Sequence, residues 1–175
     1  MFAVTDRAVL SDRVIPAEPG EFYSYTSEFT AERPVFVLMK CKANKNRPIE
    51  QLPNLFSEAN IFFQFGDSTQ AMAHSIKNAR ALSFLDSFAD EKTLCETWLA
   101  LSKITVEEFY EIHSCKDAAK LVDVCREACL RRQAVVQLKE GSIIAMMTSG
   151  GKYGVFLVQE MTSVSIQVVA CHILL

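Results

Sequence analysis

Residues 133–175, QAVVQLKEGSIIAMMTSGGKYGVFLVQEMTSVSIQVVACHILL, decide how this chain is built. Ala134-Val135-Val136-Gln137-Leu138 stops at Lys139-Glu140-Gly141, and Ile143-Ile144-Ala145-Met146-Met147 stops at Thr148-Ser149-Gly150-Gly151. Residues 152–159 and 164–174 follow, divided by Glu160-Met161-Thr162-Ser163. Short β-branched or aromatic runs broken by Gly-Gly and by Ser/Thr clusters predict hairpins, because glycine supplies the positive φ that tight turns need. Gly154 falls inside one of these runs, where glycine marks a bulge or a close backbone approach. The tail therefore reads as a β-meander, either a small SH3-like barrel or the second half of a single sheet.

The last of these runs is apolar on both faces. Val164, Ile166, Val168 and Ala170 alternate onto one side, and Val169, Cys171, Ile173 and Leu175 onto the other. A strand of that kind must be covered twice. A helix layer within the chain accounts for one cover and a second subunit or a protein partner for the other, unless the remaining strands curl into a small barrel that covers both sides.

Upstream, the spacing predicts helices. Thr105-Val106-Glu107-Glu108 has the form of a capping box, starting a short helix that carries Phe109 and Ile112. Ser114-Cys115-Lys116-Asp117 repeats the signal, and Ala118, Leu121, Val122, Cys125, Ala128 and Cys129 continue as one apolar stripe ending at Arg131-Arg132. Asp67, Ser68 and Thr69 precede a run over 70–88 in which Met72, Ile76, Ala79, Leu82 and Leu85 fall at helical spacing. Residues 90–102, with Leu94, Cys95, Trp98, Leu99 and Leu101, read the same way.

The first part of the chain predicts strands at 22–29, 35–39 and 61–65, the first two joined as a hairpin through residues 30–34. Residues 44–53, with two prolines and two asparagines, read as a loop. Strands, then helices, then strands argue an α+β fold with a mostly antiparallel sheet of five to seven strands and three or four helices on one face. The boundary that suggests itself lies near 132–134. It separates an α+β region over 1–132 from the meander over 133–175, unless both are parts of one domain.

Composition bounds the partners. The chain has 175 residues, half of them hydrophobic, with twelve Phe against four Tyr and one Trp, which predicts a core filled by large apolar rings. A net charge of −3 gives no basic field for nucleic acid, although Lys40, Lys42, Lys45 and Arg47 form a local cluster. The six cysteines show no CxxC or other zinc-ligand spacing. No run approaches a membrane span, and the N-terminus lacks a secretory leader. A cytoplasmic protein with reduced thiols, no metal and no cofactor is expected.

Few residue groups invite chemistry. Gly66-Asp67-Ser68-Thr69 lies between a strand and a helix, where free N–H groups attract anions, but it lacks the glycines of a phosphate loop and Asp67 would repel one. Ser149-Gly150-Gly151-Lys152 offers a cation in a glycine loop, though a hairpin turn accounts for it. His113 and Cys115 straddle a helix break, while Cys171 and His172 point to opposite faces of a strand. His74 falls on the helix expected over 70–88, at an exposed position. No catalytic residue is assigned. The expected function is a non-catalytic binding or assembly module using the apolar surface of the β-segment, since mean hydropathy is +0.13 without a membrane segment. The alternative is a small-molecule-binding protein or enzyme with a pocket between sheet and helices, lined by Asp67, Ser68, His74, Cys115 and Lys152.

Overall fold

The computed structural model describes residues 21–37, 46–47, 59–66, 70–81 and 96–174. Two open five-stranded antiparallel sheets carry the fold. The strands are β1 (Phe22–Thr30), β2 (Val35–Val37), β3 (Asn46–Arg47), β4 (Ala59–Gln64), β5 (Met72–Ser75), β6 (Thr97–Leu101), β7 (Val135–Gln137), β8 (Ile143–Thr148), β9 (Lys152–Met161) and β10 (Ser165–Leu174). The first sheet runs β1-β10-β9-β8-β6 and the second β3-β2-β4-β5-β7. Helices α1 (Ile76–Ala81), α2 (Val106–Cys115) and α3 (Ala118–Ala128) complete the described elements, with a 3-10 turn at Cys129–Arg131. The α+β, mostly antiparallel reading holds, and the SH3-like barrel does not: both sheets are open.

The layers follow from strand alternation. Ile144, Met146, Phe156, Val158, Ile166, Val168 and Ala170 of the first sheet face Phe36, Ile61, Phe63, Ala73 and Val136 of the second. Phenylalanine fills this layer as the composition predicts. Phe29 lies 4.5 Å from Phe63 between ring centroids, and Phe156 lies 6.0 Å from Phe63. Alternate residues of the first sheet, including Ile143, Ala145, Val155, Leu157, Val169, Cys171 and Ile173, pack with Phe109, Ile112, Leu121 and Cys125 of α2 and α3. Burial of these two interfaces supplies most of the stabilisation, at roughly 25 cal/mol per Å² of apolar surface.

The doubly apolar β10 therefore sits between β1 and β9, with one face against the other sheet and the other under the helix layer. Its second face needs no partner, because α2 and α3 come back over it. The hairpins β8–β9 and β9–β10 form as read, but 134–138 does not pair with 143–147: β7 crosses to the second sheet and pairs with β5. Gly141 and Gly151 take φ of 78° and 79° in their turns. At Gly154 a Cβ would stand 3.1 Å from Met146 Cε and 3.4 Å from His172 Cβ, which is the close approach the sequence implied.

Both helix starts downstream of residue 104 are as predicted. Thr105 Oγ1 accepts from the Glu108 amide at 3.2 Å, and Glu108 Oε2 accepts from the Thr105 amide at 2.8 Å. Asp117 caps α3 by accepting from the Lys120 amide at 3.0 Å.

Four upstream expectations are corrected. Within the 44–53 loop, Asn46 and Arg47 form β3, because they pair with Phe36 and Val35 of β2. Residues 72–75 form a strand before α1, because β4 and β7 pair with them on both sides. Two ladders of backbone bonds outweigh a helical spacing that short alanine-rich runs also satisfy. Residues 97–101 form β6 instead of a helix. Leu99 faces the other sheet while Trp98 and Ala100 face the helices, so the run is buried on two sides and periodicity cannot type it. The first two strands do not form a hairpin with each other. They enter different sheets, linked by one bridge from Thr30 to Arg33. Residues 38–39 and 82–95 of the predicted elements lie outside the described residues.

Candidate functional site

The edge strands β6 and β7 belong to different sheets, and a bond joins β6 to the residues that lead into β7. The Leu99 amide donates to the Gln133 carbonyl at 2.8 Å. Beyond it, residues 100–104 and 133–137 are the two walls of a groove of about 590 Å³, closed on a third side by Val124 and Ala128 of α3 and by Leu130 and Arg131. That volume falls within the roughly 300–1,000 Å³ of ordinary ligand sites.

Strand alternation aims backbone groups into this groove. Ser149 donates to Glu96 and Ser102 donates to Ile143, so even-numbered residues of β6 bond toward β8 and odd-numbered ones face outward. Ser75 donates to Ala134 and Leu138 donates to Ala71, so Val135 likewise faces away from β5. The N–H and C=O groups of Leu101 and Val135 have no partner among the described residues. Leu101 is 55 % exposed and Leu130 is 78 % exposed, the two large apolar side chains among the groove's walls that water reaches most. Lys103, Glu127 and Arg131 line it, an excess of one positive charge.

The residues singled out from the sequence lie elsewhere. Asp67 and Ser68 fall outside the described residues. His74 is in β5, not on a helix, and is buried at 3 % exposure. Its Nε2 bonds to Gln64 Oε1 at 2.8 Å and its Nδ1 to Asn78 Nδ2 at 2.9 Å. The glutamine oxygen accepts, so Nε2 carries the proton and Nδ1 accepts from the asparagine amide. Burial lowers its pKa and keeps the ring neutral.

Cys115 is the exposed last residue of α2, and the His113 ring packs at 6.0 Å on Phe109. Lys152 opens β9, where its amide donates to Thr148 Oγ1 at 3.1 Å and fixes the Gly150-Gly151 turn. The three residues His74, Cys115 and Lys152 thus stand on separate elements, and none of them lines the groove.

The interior thiols are inert by burial. Cys125, Cys129 and Cys171 are free and buried, and desolvation pushes the last two up to about 12 and raises Cys125 well above the usual thiol range. His172 is fully buried, with Nδ1 3.1 Å from the Tyr25 hydroxyl and its ring stacked 4.9 Å from Tyr23. Among the described residues, no group of His, Cys, Asp and Glu gathers to hold a metal ion.

Sequence reasoning missed the groove because its walls are defined by edges and not by residue type. The signal available was Leu130, an apolar residue between Cys129 and Arg131 that lies off the α3 stripe.

No family model matches the sequence, and no curated protein matches it. Among solved structures, a DUF4466 family protein from Parabacteroides merdae ATCC 43184 is similar, with a TM-score of 0.57 and 9 % sequence identity. The likeness covers 89 % of this chain and 55 % of that one, so this chain spans little more than half its length. At that identity the two share a fold. Among the described residues, no helix is long and apolar enough to cross a membrane.

Proposed function

We propose that the protein is a non-catalytic cytoplasmic binding module whose groove between β6, β7 and α3 takes an extended segment of a protein partner. The observation that carries this reading is the pair of outward backbone edges at Leu101 and Val135, flanked by the exposed Leu101 and Leu130 side chains. An extended polypeptide is the ligand that supplies both complements. Its backbone satisfies an edge strand, and its alternate side chains fill the apolar walls. The excess positive charge from Lys103 and Arg131 over Glu127 favours a segment with an acidic residue.

The test is an NMR titration of the whole chain with a short peptide of alternating valine and threonine carrying one aspartate. Saturable shifts at the Leu101 and Val135 amides, lost in Leu101→Asp and Leu130→Asp, support the reading. Both leucines are exposed, so neither variant disturbs the core. Shifts elsewhere, or none, would defeat it. A concentration-dependent dimer in sedimentation, abolished by Leu130→Asp, would instead give the groove to a second copy of the chain.

A further inference from the structure

The groove has a direction and a closed end. β7 follows Gln133, which lies beside Leu99, and the chain then enters β8 at Ile143, whose carbonyl accepts from the Ser102 amide at 2.8 Å. β6 also runs from Leu99 toward Ser102, so the two walls run in the same direction. Where the walls begin, the Leu99–Gln133 bond joins them. No residue that lines the groove lines the smaller recess beyond that bond. A chain lying between the edges stops there.

Past the bond, the first residues with outward backbone groups are Leu101 and Val135, each two positions on. All the described strand pairs are antiparallel, the arrangement slightly more stable per residue. Because the walls run the same way, a strand antiparallel to one is antiparallel to both, and its C-terminal end points at the bond. Charge favours the same direction. The turn Cys129–Arg131 packs at the start of β6, where Cys129 Sγ donates to the Trp98 carbonyl at 3.6 Å. Arg131 therefore lines the groove at its closed end, exposed and in no ion pair among the described residues. Lys103 lies past the end of β6, toward the open end, and Glu127 lies farther back on α3. The arginine favours a carboxylate at the closed end and disfavours the ammonium of a chain laid the other way.

We propose that the groove takes the C-terminal tail of its protein partner, antiparallel to β6, with the terminal carboxylate at the Leu99–Gln133 end beside Arg131. This names the kind of segment bound and rests on the peptide-binding reading. The negative charge that the groove favours is then the chain end itself, and apolar side chains just before it meet Leu101 and Leu130.

The experiment is an NMR titration of the full chain with an N-acetylated valine–threonine peptide. It is added as the free acid, as the C-terminal amide, and as the amide lengthened by glycines. The free acid is expected to bind about fivefold or more tighter than the other forms, with saturable shifts at the Leu101, Gln133 and Val135 amides. In Arg131→Gln, at an exposed position, its affinity falls to that of the amide. A spin label at the peptide's N-terminal end broadens the Lys103 and Gln137 amides more than the Gln133 amide. Equal affinity of all forms, an acid preference undiminished in Arg131→Gln, or stronger broadening at Gln133 overturns the proposal and leaves the groove as a peptide site. No shift at Leu101 and Val135 with any form removes the peptide reading and the proposal together.

Discussion

The Leu99 amide and the Gln133 carbonyl, 2.8 Å apart, tie the edge of one sheet to the edge of the other. The groove opens on one side of this bond and a smaller recess, lined by Ser75, Thr97, Trp98 and Arg132 among others, on the other. Leu99 itself is fully buried between the sheets, so the bond is anchored in the core while its flanks reach the surface.

Truncation of the α3 stripe separates core from groove. Leu121 is fully buried under the first sheet, and Leu121→Ala is expected to cost about 2–5 kcal/mol in urea denaturation. Leu130→Ala, at a position 78 % exposed, is expected to cost less than about 0.5 kcal/mol. Equal losses at the two sites would mean that the stripe is misassigned.

The buried thiols set an alkaline limit. Their folded pKa values lie above the ordinary thiol value of about 8.5, so the unfolded chain releases protons first as pH rises. Stability is full below that value and is lost between it and about 12, with a slope of up to about 1.4 kcal/mol per pH unit for each thiol. Equilibrium denaturation across this range checks it, and Cys129→Ala with Cys171→Ala flattens the decline. Below it, a bulky thiol reagent labels Cys115 quickly and Cys125, Cys129 and Cys171 only on unfolding.

His74 sets a limit on the acid side. Its folded pKa is lowered by burial, so below about pH 6.5 the unfolded chain takes up the proton first. Its contribution to stability is full above that value and falls as pH drops through the folded pKa. His74→Gln removes this part of the acid dependence. An unchanged slope between pH 7 and 5 in that variant would show that the ring does not titrate out of step.

The glycines in and before β9 differ in what surrounds them. Gly154→Ala drives a methyl against Met146 and His172 and is expected to cost about 1–3 kcal/mol in thermal or chemical melts. Gly150→Ala meets nothing closer than Thr148 Oγ1 at 3.8 Å and is expected to be close to neutral. A neutral Gly154→Ala would show that the Met146 methyl moves aside freely.

Local chemistry made much of this protein legible as text. The Thr105–Glu108 box, the Asp117 cap, the Leu121–Cys125 stripe and the glycine turns at 141 and 151 act within a few residues, so short windows of sequence determine them. The tertiary structure decided what has no local signature. Residues 72–75 and 97–101 became strands because partners outside those segments, β4 and the distant β7 for one and the distant β8 for the other, supplied backbone bonds that no local propensity encodes. The second face of β10 was covered by helices of the same chain, and the groove and the recess arose where two sheet edges converge. An edge is a property of what lies beside a strand, and sequence order leaves that open until non-local pairing settles it.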